Sequence, residues 1–107
     1  MNHLALLAVL PRPDGGEEPL GIARAVRLPD PPHTFEVAVT IVDAAQGRGL
    51  GRRLVERVLR AAAKHGARQA RFTTLPWNRR MRALVRSLGL EAQFALEDDL
   101  LTITVAL

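Results

Sequence analysis

Gln46-Gly47-Arg48-Gly49-Leu50-Gly51 sets three glycines at alternate positions, between an apolar run from Phe35 to Val42 and an amphipathic run that starts at Leu50. Glycine lets a backbone N–H approach a ligand with no side chain in the way. The start of a helix carries N–H groups without intrahelical partners and a partial positive charge. A strand, a glycine turn and a helix N-terminus in succession therefore make a phosphate site, and this loop reads as a pyrophosphate cradle. Spacing rules out two nucleotide motifs. A nucleoside-triphosphate loop needs Gly-x-x-x-x-Gly-Lys-Ser/Thr, whereas Arg52 and Arg53 follow Gly51 and no hydroxyl is available to hold magnesium. A dinucleotide fingerprint needs Gly-x-Gly-x-x-Gly and an acid about 20 residues on. Here Arg52 stands where the third glycine belongs, and the region of Ala70-Arg71 offers no acid.

The elements that must position this loop follow from pattern. Leu4 to Leu10 reads as a buried first strand, Leu20 to Leu28 as a second and Phe35 to Val42 as a third, separated by breaker-rich turns at Pro11 to Gly16 and Pro29 to Pro32. The helix from Leu50 to His65 carries Leu50, Leu54, Val55, Val58, Leu59, Ala62 and Ala63 on one stripe, with Gly66 as its stop. Ala70 to Leu75 is a fourth strand ending at Pro76. A second helix from Asn78 to Leu88 buries Met81, Leu84, Val85 and Leu88 before Gly89. Glu91 to Leu96 and Leu100 to Ala106 pair as a hairpin across Glu97-Asp98-Asp99. The order is β-β-β-α-β-α-β-β.

The 107 residues, taken as residues 1–107, make one domain with one core, and 48% hydrophobic with 24% charged residues is a soluble globular composition. With no cysteine, disulfides, thiolate metal sites and a cysteine nucleophile are excluded. His3, His33 and His65 lack metal-ligand spacing, so no metal is expected. No run of about 20 apolar residues exists to span a membrane. Met1 to Leu10 lacks the basic segment of a signal peptide, so a cytoplasmic location is expected. Charge is uneven: Arg48 to Arg86 holds eleven arginines and Lys64 against Glu56 alone, and the rest is net acidic. Such a patch favours a polyanionic partner, either nucleic acid or a phosphate-bearing acyl carrier. Equally, these arginines are solvating charge on exposed helix faces. With 4% aromatic residues there is little to stack on bases, so no nucleic-acid partner is expected.

The element order, Gln46 to Gly51 at the third strand-to-helix junction, and Asn78 opening the second helix together resemble the GNAT superfamily of acyl-CoA-dependent N-acyltransferases. The loop matches that family's Gln/Arg-x-x-Gly-x-Gly/Ala pattern, and Asn78, Met81 and Leu88-Gly89-Leu90 resemble its second cofactor-contacting helix. More narrowly, Gly21-Ile22-Ala23-Arg24, Glu36-Val37-Ala38-Val39-Thr40, Gln46 to Gly51 and Asn78-Arg79-Arg80-Met81 resemble the acetyltransferase domain of bacterial protein-lysine acetyltransferases.

The resemblance, over about residues 20–90, implies an α+β fold with a mixed central sheet and flanking helices, splayed between the third and fourth strands. It implies acetyl-CoA as co-substrate and a protein lysine or a small amine as acceptor. Backbone groups of Val39 and Ile41 would pair with the pantetheine amides. N–H groups of Gln46, Gly47, Arg48, Gly49, Leu50, Gly51 and Arg52 would hold the pyrophosphate, with Arg52, Arg53 and Arg48 as further phosphate contacts. Asn78 would bond the pantetheine side; it also reads as an ordinary helix N-cap after Trp77, and the two roles are compatible.

Glu36 is the candidate general base: it interrupts an apolar strand, where burial would tune a carboxylate for accepting a proton, and it matches a Glu that resembles the base in those lysine acetyltransferases. The other reading is a strand-end carboxylate, solvated or paired with arginine. A bulge in the third strand would free an N–H to polarise the thioester carbonyl. Family members often use a tyrosine as acid, and this chain has none, which leaves solvent or Ser87. Trp77 would wall the acyl pocket or simply pack. Against the family pattern the chain starts one strand late. The competing readings are an acceptor cleft completed by a neighbouring subunit, an open cleft suited to a protein lysine, or an inactive acyl-CoA-binding module. Exposed apolar edges would favour a homodimer.

Overall fold

The computed structural model describes residues 2–107. Alternating apolar and polar residues form six strands, β1 (His3–Pro11), β2 (Glu17–Arg27), β3 (Thr34–Ile41), β4 (Gln69–Thr74), β5 (Ala92–Glu97) and β6 (Leu100–Ala106). Two helices, α1 (Leu50–Lys64) and α2 (Arg79–Ser87), complete the order β-β-β-α-β-α-β-β read from the sequence. One element lay outside that reading, a 3-10 turn at Asp43–Ala45 between β3 and the glycine loop.

The strands make one mixed sheet in the order β1-β2-β3-β4-β6-β5. All pairs are antiparallel except β3–β4, which is parallel, and α1 supplies the crossover that a parallel pair requires. Ala23, Ala25, Phe35, Val37, Ala70, Phe72, Ile103 and Val105 form the apolar face, all buried. α1 covers it with Leu54, Val55, Val58, Leu59 and Ala62, and α2 adds Val85, with Met81, Leu84 and Leu88 half-buried beside it. Both helices therefore flank the same face. The opposite face carries Arg24, Glu36, Thr40, Arg71, Thr73, Thr102 and Thr104, none of them buried.

Two expectations change. The buried strand foreseen at Leu4 to Leu10 is the sheet's edge: Leu4 and Leu6 lean on the core while Leu7 is 59% exposed, since β1 has a strand on one side only. Ala63 is exposed, because a full turn of α1 already fills the groove with Val58, Leu59 and Ala62.

The predicted stops hold. Ala67 N–H donates to Ala62 O at 3.0 Å and Gly66 N–H to Ala63 O at 3.1 Å, the paired bonds that close a helix C-terminus. Asp98 and Asp99, with φ of 50° and 63°, make the two-residue turn of the final hairpin. Arg27 ties β2 to the end of α1, donating from Nη2 to His65 O at 2.7 Å with its guanidinium 4.7 Å above the Phe35 ring. Among the described residues no helix is long and apolar enough to cross a membrane.

Candidate active site

β3 and β4 pair at only three positions, Thr34 with Gln69, Phe35 with Ala70 and Glu36 with Arg71. Beyond Glu36 the two strands diverge, and Val37 to Ile41 face a gap. The hydrogen bonds at the ends of the β2–β3 ladder fix which backbone groups line it. Leu28 N–H donates to Thr34 O at 2.8 Å and Val42 N–H to Leu20 O at 2.9 Å. Hydrogen-bonded pairs recur every second residue in an antiparallel ladder, so the even-numbered residues of β3 bond to β2. Val37 N–H is used by the Glu36–Arg71 pairing, and from there on Val39 and Ile41 turn their N–H and C=O groups towards the gap. The β2–β3 register runs without a shift from Phe35 to Ile41, so the bulge expected in this strand is absent. Splaying, rather than a bulge, frees these groups.

The glycine loop closes the same end of the gap. Its first residue does not serve as foreseen: Gln46 N–H donates to Asp43 O at 3.2 Å, and its side-chain Nε2 donates to Ile41 O at 3.1 Å and to Asp43 Oδ1 at 3.2 Å. Gln46 therefore builds the turn and takes up the Ile41 carbonyl, leaving Ile41 only its N–H for the gap. Gly47 and Gly49 have φ of 79° and 77°, a region that costs other residues strain. Open space surrounds both positions where a Cβ would stand. Gly49 is the N-cap of α1 and offers no side-chain acceptor, and no acid lies in the first turn.

As a result, the N–H groups of Gly47, Arg48, Gly49, Leu50, Gly51 and Arg52 have no acceptor among the described residues; the first loop-to-helix bond runs from Arg53 N–H to Gly49 O at 3.2 Å. This run of donors at a positive helix end suits a pyrophosphate, and the edge of β3 suits an extended diamide. Gly51 differs from its neighbours: a Cβ there would lie 3.3 Å from Leu84 Cδ1 and 3.6 Å from Ile41 Cγ1, so it admits α2 against α1. Arg48 and Arg53 are exposed, while Arg52 Nε bonds Glu56 Oε1 at 2.8 Å, along the helix.

Across the gap, Asn78 caps α2. Its Oδ1 accepts from Met81 N–H at 3.1 Å and its Nδ2 donates to Thr74 Oγ1 at 2.9 Å, which pins the helix to the end of β4. Trp77 beside it is 73% exposed, so it does not pack into the core. Ser87 Oγ donates to Leu84 O at 2.6 Å on an exposed turn, so its proton is committed to the helix.

Glu36 stands at the last paired position, where the split begins. It is not desolvated as foreseen: its side chain is 32% exposed, on the face without helices. Oε2 accepts from Arg71 Nε at 3.0 Å and Oε1 from Thr73 Oγ1 at 2.8 Å. The arginine-paired alternative is thus the observed arrangement, and the carboxylate is held at both oxygens. Sequence reasoning missed Arg71 and Thr73. Their only signal was alternation with the apolar Ala70 and Phe72, which put them on one face but named no partner.

Among the described residues no group of three or more His, Cys, Asp or Glu could hold a metal. A recess of about 450 Å³ lies among Asn2, His3, Val26, Arg27, Leu28 and Pro29, and one of about 150 Å³ among Arg68, Gln69, Glu91, Gln93, Thr104 and Ala106. Neither is lined by Glu36 or the glycine loop.

Residues 3–90 match the Acetyltransferase (GNAT) family. The N-alpha-acetyltransferase 80 of Mus musculus is 38% identical over 74 residues, which cover 66% of this chain and 24% of that protein. The GNAT domain of S. lividans PAT superposes with a TM-score of 0.84 at 26% identity, covering 99% of this chain and 61% of that one. A cAMP-binding acyltransferase from Mycobacterium smegmatis superposes at 0.78 with 25% identity, covering 98% of this chain and 30% of that one. The chain thus spans less than two thirds of each.

Proposed function

The chain belongs to the Acetyltransferase (GNAT) family, and from that membership we propose that it moves an acetyl group from acetyl-CoA to an amine, with Glu36 as general base. The observation that carries the reading is the pairing of a strand split at Glu36 with an uncapped helix N-terminus at the same end of the sheet. Acetyl-CoA supplies the thioester whose carbonyl carbon the amine attacks. Gly47 to Arg52 donate to the pyrophosphate oxygens. Val39 N–H and C=O and Ile41 N–H pair with the pantetheine amides as a further strand would. Glu36 takes the proton that the acceptor ammonium must lose, since each of its oxygens keeps a lone pair beyond the one already used. As the new C–N bond forms the C–S bond breaks, and the second proton that the nitrogen sheds passes by way of solvent to the thiolate, there being no tyrosine in the chain.

The acceptor is a protein lysine in this reading. Glu36 lies on an open face without enclosing walls, which suits the tip of a long side chain presented by another protein better than a small amine that needs surrounding contacts. The similar N-alpha-acetyltransferase 80, which by its name acetylates an alpha-amine, supports an amine as acceptor. The exposed apolar residues of the two edge strands, Leu7 and Leu10 on β1 and Phe94 and Leu96 on β5, support a homodimer; light scattering at micromolar concentration giving a monomer mass would remove it. The expected site of action is the cytoplasm.

Calorimetry with acetyl-CoA at about 0.15 M salt, where loose charge attraction is screened, tests the cofactor half of the proposal: one-to-one binding supports it and no binding ends it. Glu36→Gln tests the chemistry. Turnover of acetyl-CoA with a lysine-containing peptide should fall roughly 10²–10⁴-fold while acetyl-CoA affinity stays unchanged. Full activity in that variant would take Glu36 out of the mechanism, and acetylation of a small amine in preference to the peptide would overturn the acceptor assignment.

A further inference from the structure

Glu36 does not act alone on its face of the sheet. The register aligns His3, Val26, Glu36, Arg71, Thr104 and Gln93 in a single row across all six strands. Within that row Arg71 is the direct neighbour of Glu36 at the last paired position of β3 and β4, and Thr73 stands two residues further along β4, on the same face and past the split. Arg71 takes one carboxylate oxygen and Thr73 the other. Both contacts come from β4 while the glutamate belongs to β3, so they span the point where the strands part.

We propose that Arg71 and Thr73 are positioning residues that clamp the Glu36 carboxylate at the apex of the split, an inference that rests on the acetyltransferase reading given above. A glutamate side chain on an exposed sheet face has three torsions to settle, and proton transfer demands a donor–acceptor distance near hydrogen-bond length. One charge-assisted bond and one hydroxyl bond, each to a different oxygen, leave a single orientation and keep lone pairs on both oxygens for the incoming ammonium. A bond to one oxygen alone would let the carboxylate swing about that oxygen. Neither residue touches the acetyl group or the acceptor in this assignment; each acts through Glu36.

The test measures release of the CoA thiol from acetyl-CoA with a lysine-containing peptide, together with acetyl-CoA affinity by calorimetry, for Arg71→Gln, Thr73→Val and Glu36→Gln singly and in pairs. Arg71→Gln should lower kcat by about 10²-fold, the scale on which misplacing a catalytic group acts, and Thr73→Val by roughly 3–10-fold from loss of one oxygen's partner. The acetyl-CoA affinity should hold within about 3-fold, and Thr73→Ser should restore turnover, since it keeps the hydroxyl. In the Glu36→Gln background neither second change should cost more, because residues acting as a unit are non-additive. Additive losses, or unimpaired kcat in Arg71→Gln while Glu36→Gln is slow, would overturn the clamp and leave the base assignment standing. If Glu36→Gln itself turns over normally, the base assignment falls and the clamp with it. The Arg71 Nε–Hε resonance gives a readout free of the acceptor: it should be protected from solvent exchange in the intact protein and exposed in Glu36→Gln, and absence of protection in the intact protein counts against the clamp.

Discussion

The two helices begin at the same end of the sheet and are finished in opposite ways. α2 starts at Asn78, whose side chain accepts from Met81 N–H and reaches back to Thr74, so the donors of its first turn are partly satisfied and its start is anchored. α1 starts at Gly49, with no side-chain acceptor, no acid in its first turn and six consecutive N–H groups without partners among the described residues. An Asn, Ser or Asp at position 49 would cap the helix more favourably, but its Cβ would have to adopt a φ of 77°. The chain therefore gives up a capping bond at one helix and keeps it at the other. The contrast teaches where a ligand is expected: at the end that is left open, not at the end that the chain closes for itself. It also separates two residues that sequence reading had grouped as cofactor contacts.

That contrast is most directly broken at Gly49. Gly49→Val should weaken acetyl-CoA binding by at least about 100-fold, since a β-branched residue is a genuine outlier at positive φ and re-aims the flanking N–H groups. Calorimetry measures the loss, and retention of wild-type affinity in a folded Gly49→Val protein would show that the open N-terminus is not the cradle. Asn78→Ala should behave oppositely. Stability should fall by about 1 kcal/mol, the usual worth of an N-cap, read as a lowered thermal midpoint, while acetyl-CoA affinity changes less than roughly 3-fold. Asn78→Asp should recover the stability, because the carboxylate accepts the same N–H. A tenfold affinity loss without a stability loss would make Asn78 a ligand after all and dissolve the contrast.

The smallest effect sharpens it from within the loop. Gly51→Ala should change both affinity and stability little, by about 1 kcal/mol at most, since better helix propensity offsets the contact with Leu84 Cδ1. An effect as large as that at Gly49 would mean that all the glycines of the loop do one job.

Much of this was legible beforehand because it depends on local rules. The periods of 2 and 3.6, the glycine stops and the Asp98-Asp99 turn are written in short stretches, so every strand and helix was anticipated to within a few residues. The glycine turn leading into an open helix start was legible for the same reason: a glycine pattern before a helix is a local signal. The role of Gln46 was not, because nothing in its own neighbourhood says that its side chain folds back onto Ile41 O. Nor was the edge position of β1, since an apolar run reads alike whether one side or both are paired.

The sequence by itself determined which segments become strands and helices, where each one stops, and that a glycine turn precedes the first helix; side-chain shape and backbone freedom decide these within a few residues. Only the tertiary structure decided that β3 and β4 part after Glu36, that both helices cover one face, and that Arg71 and Thr73 meet a glutamate 35 and 37 positions earlier in the chain. Strand register is a long-range agreement between segments joined through a helix, and no window of sequence contains both partners.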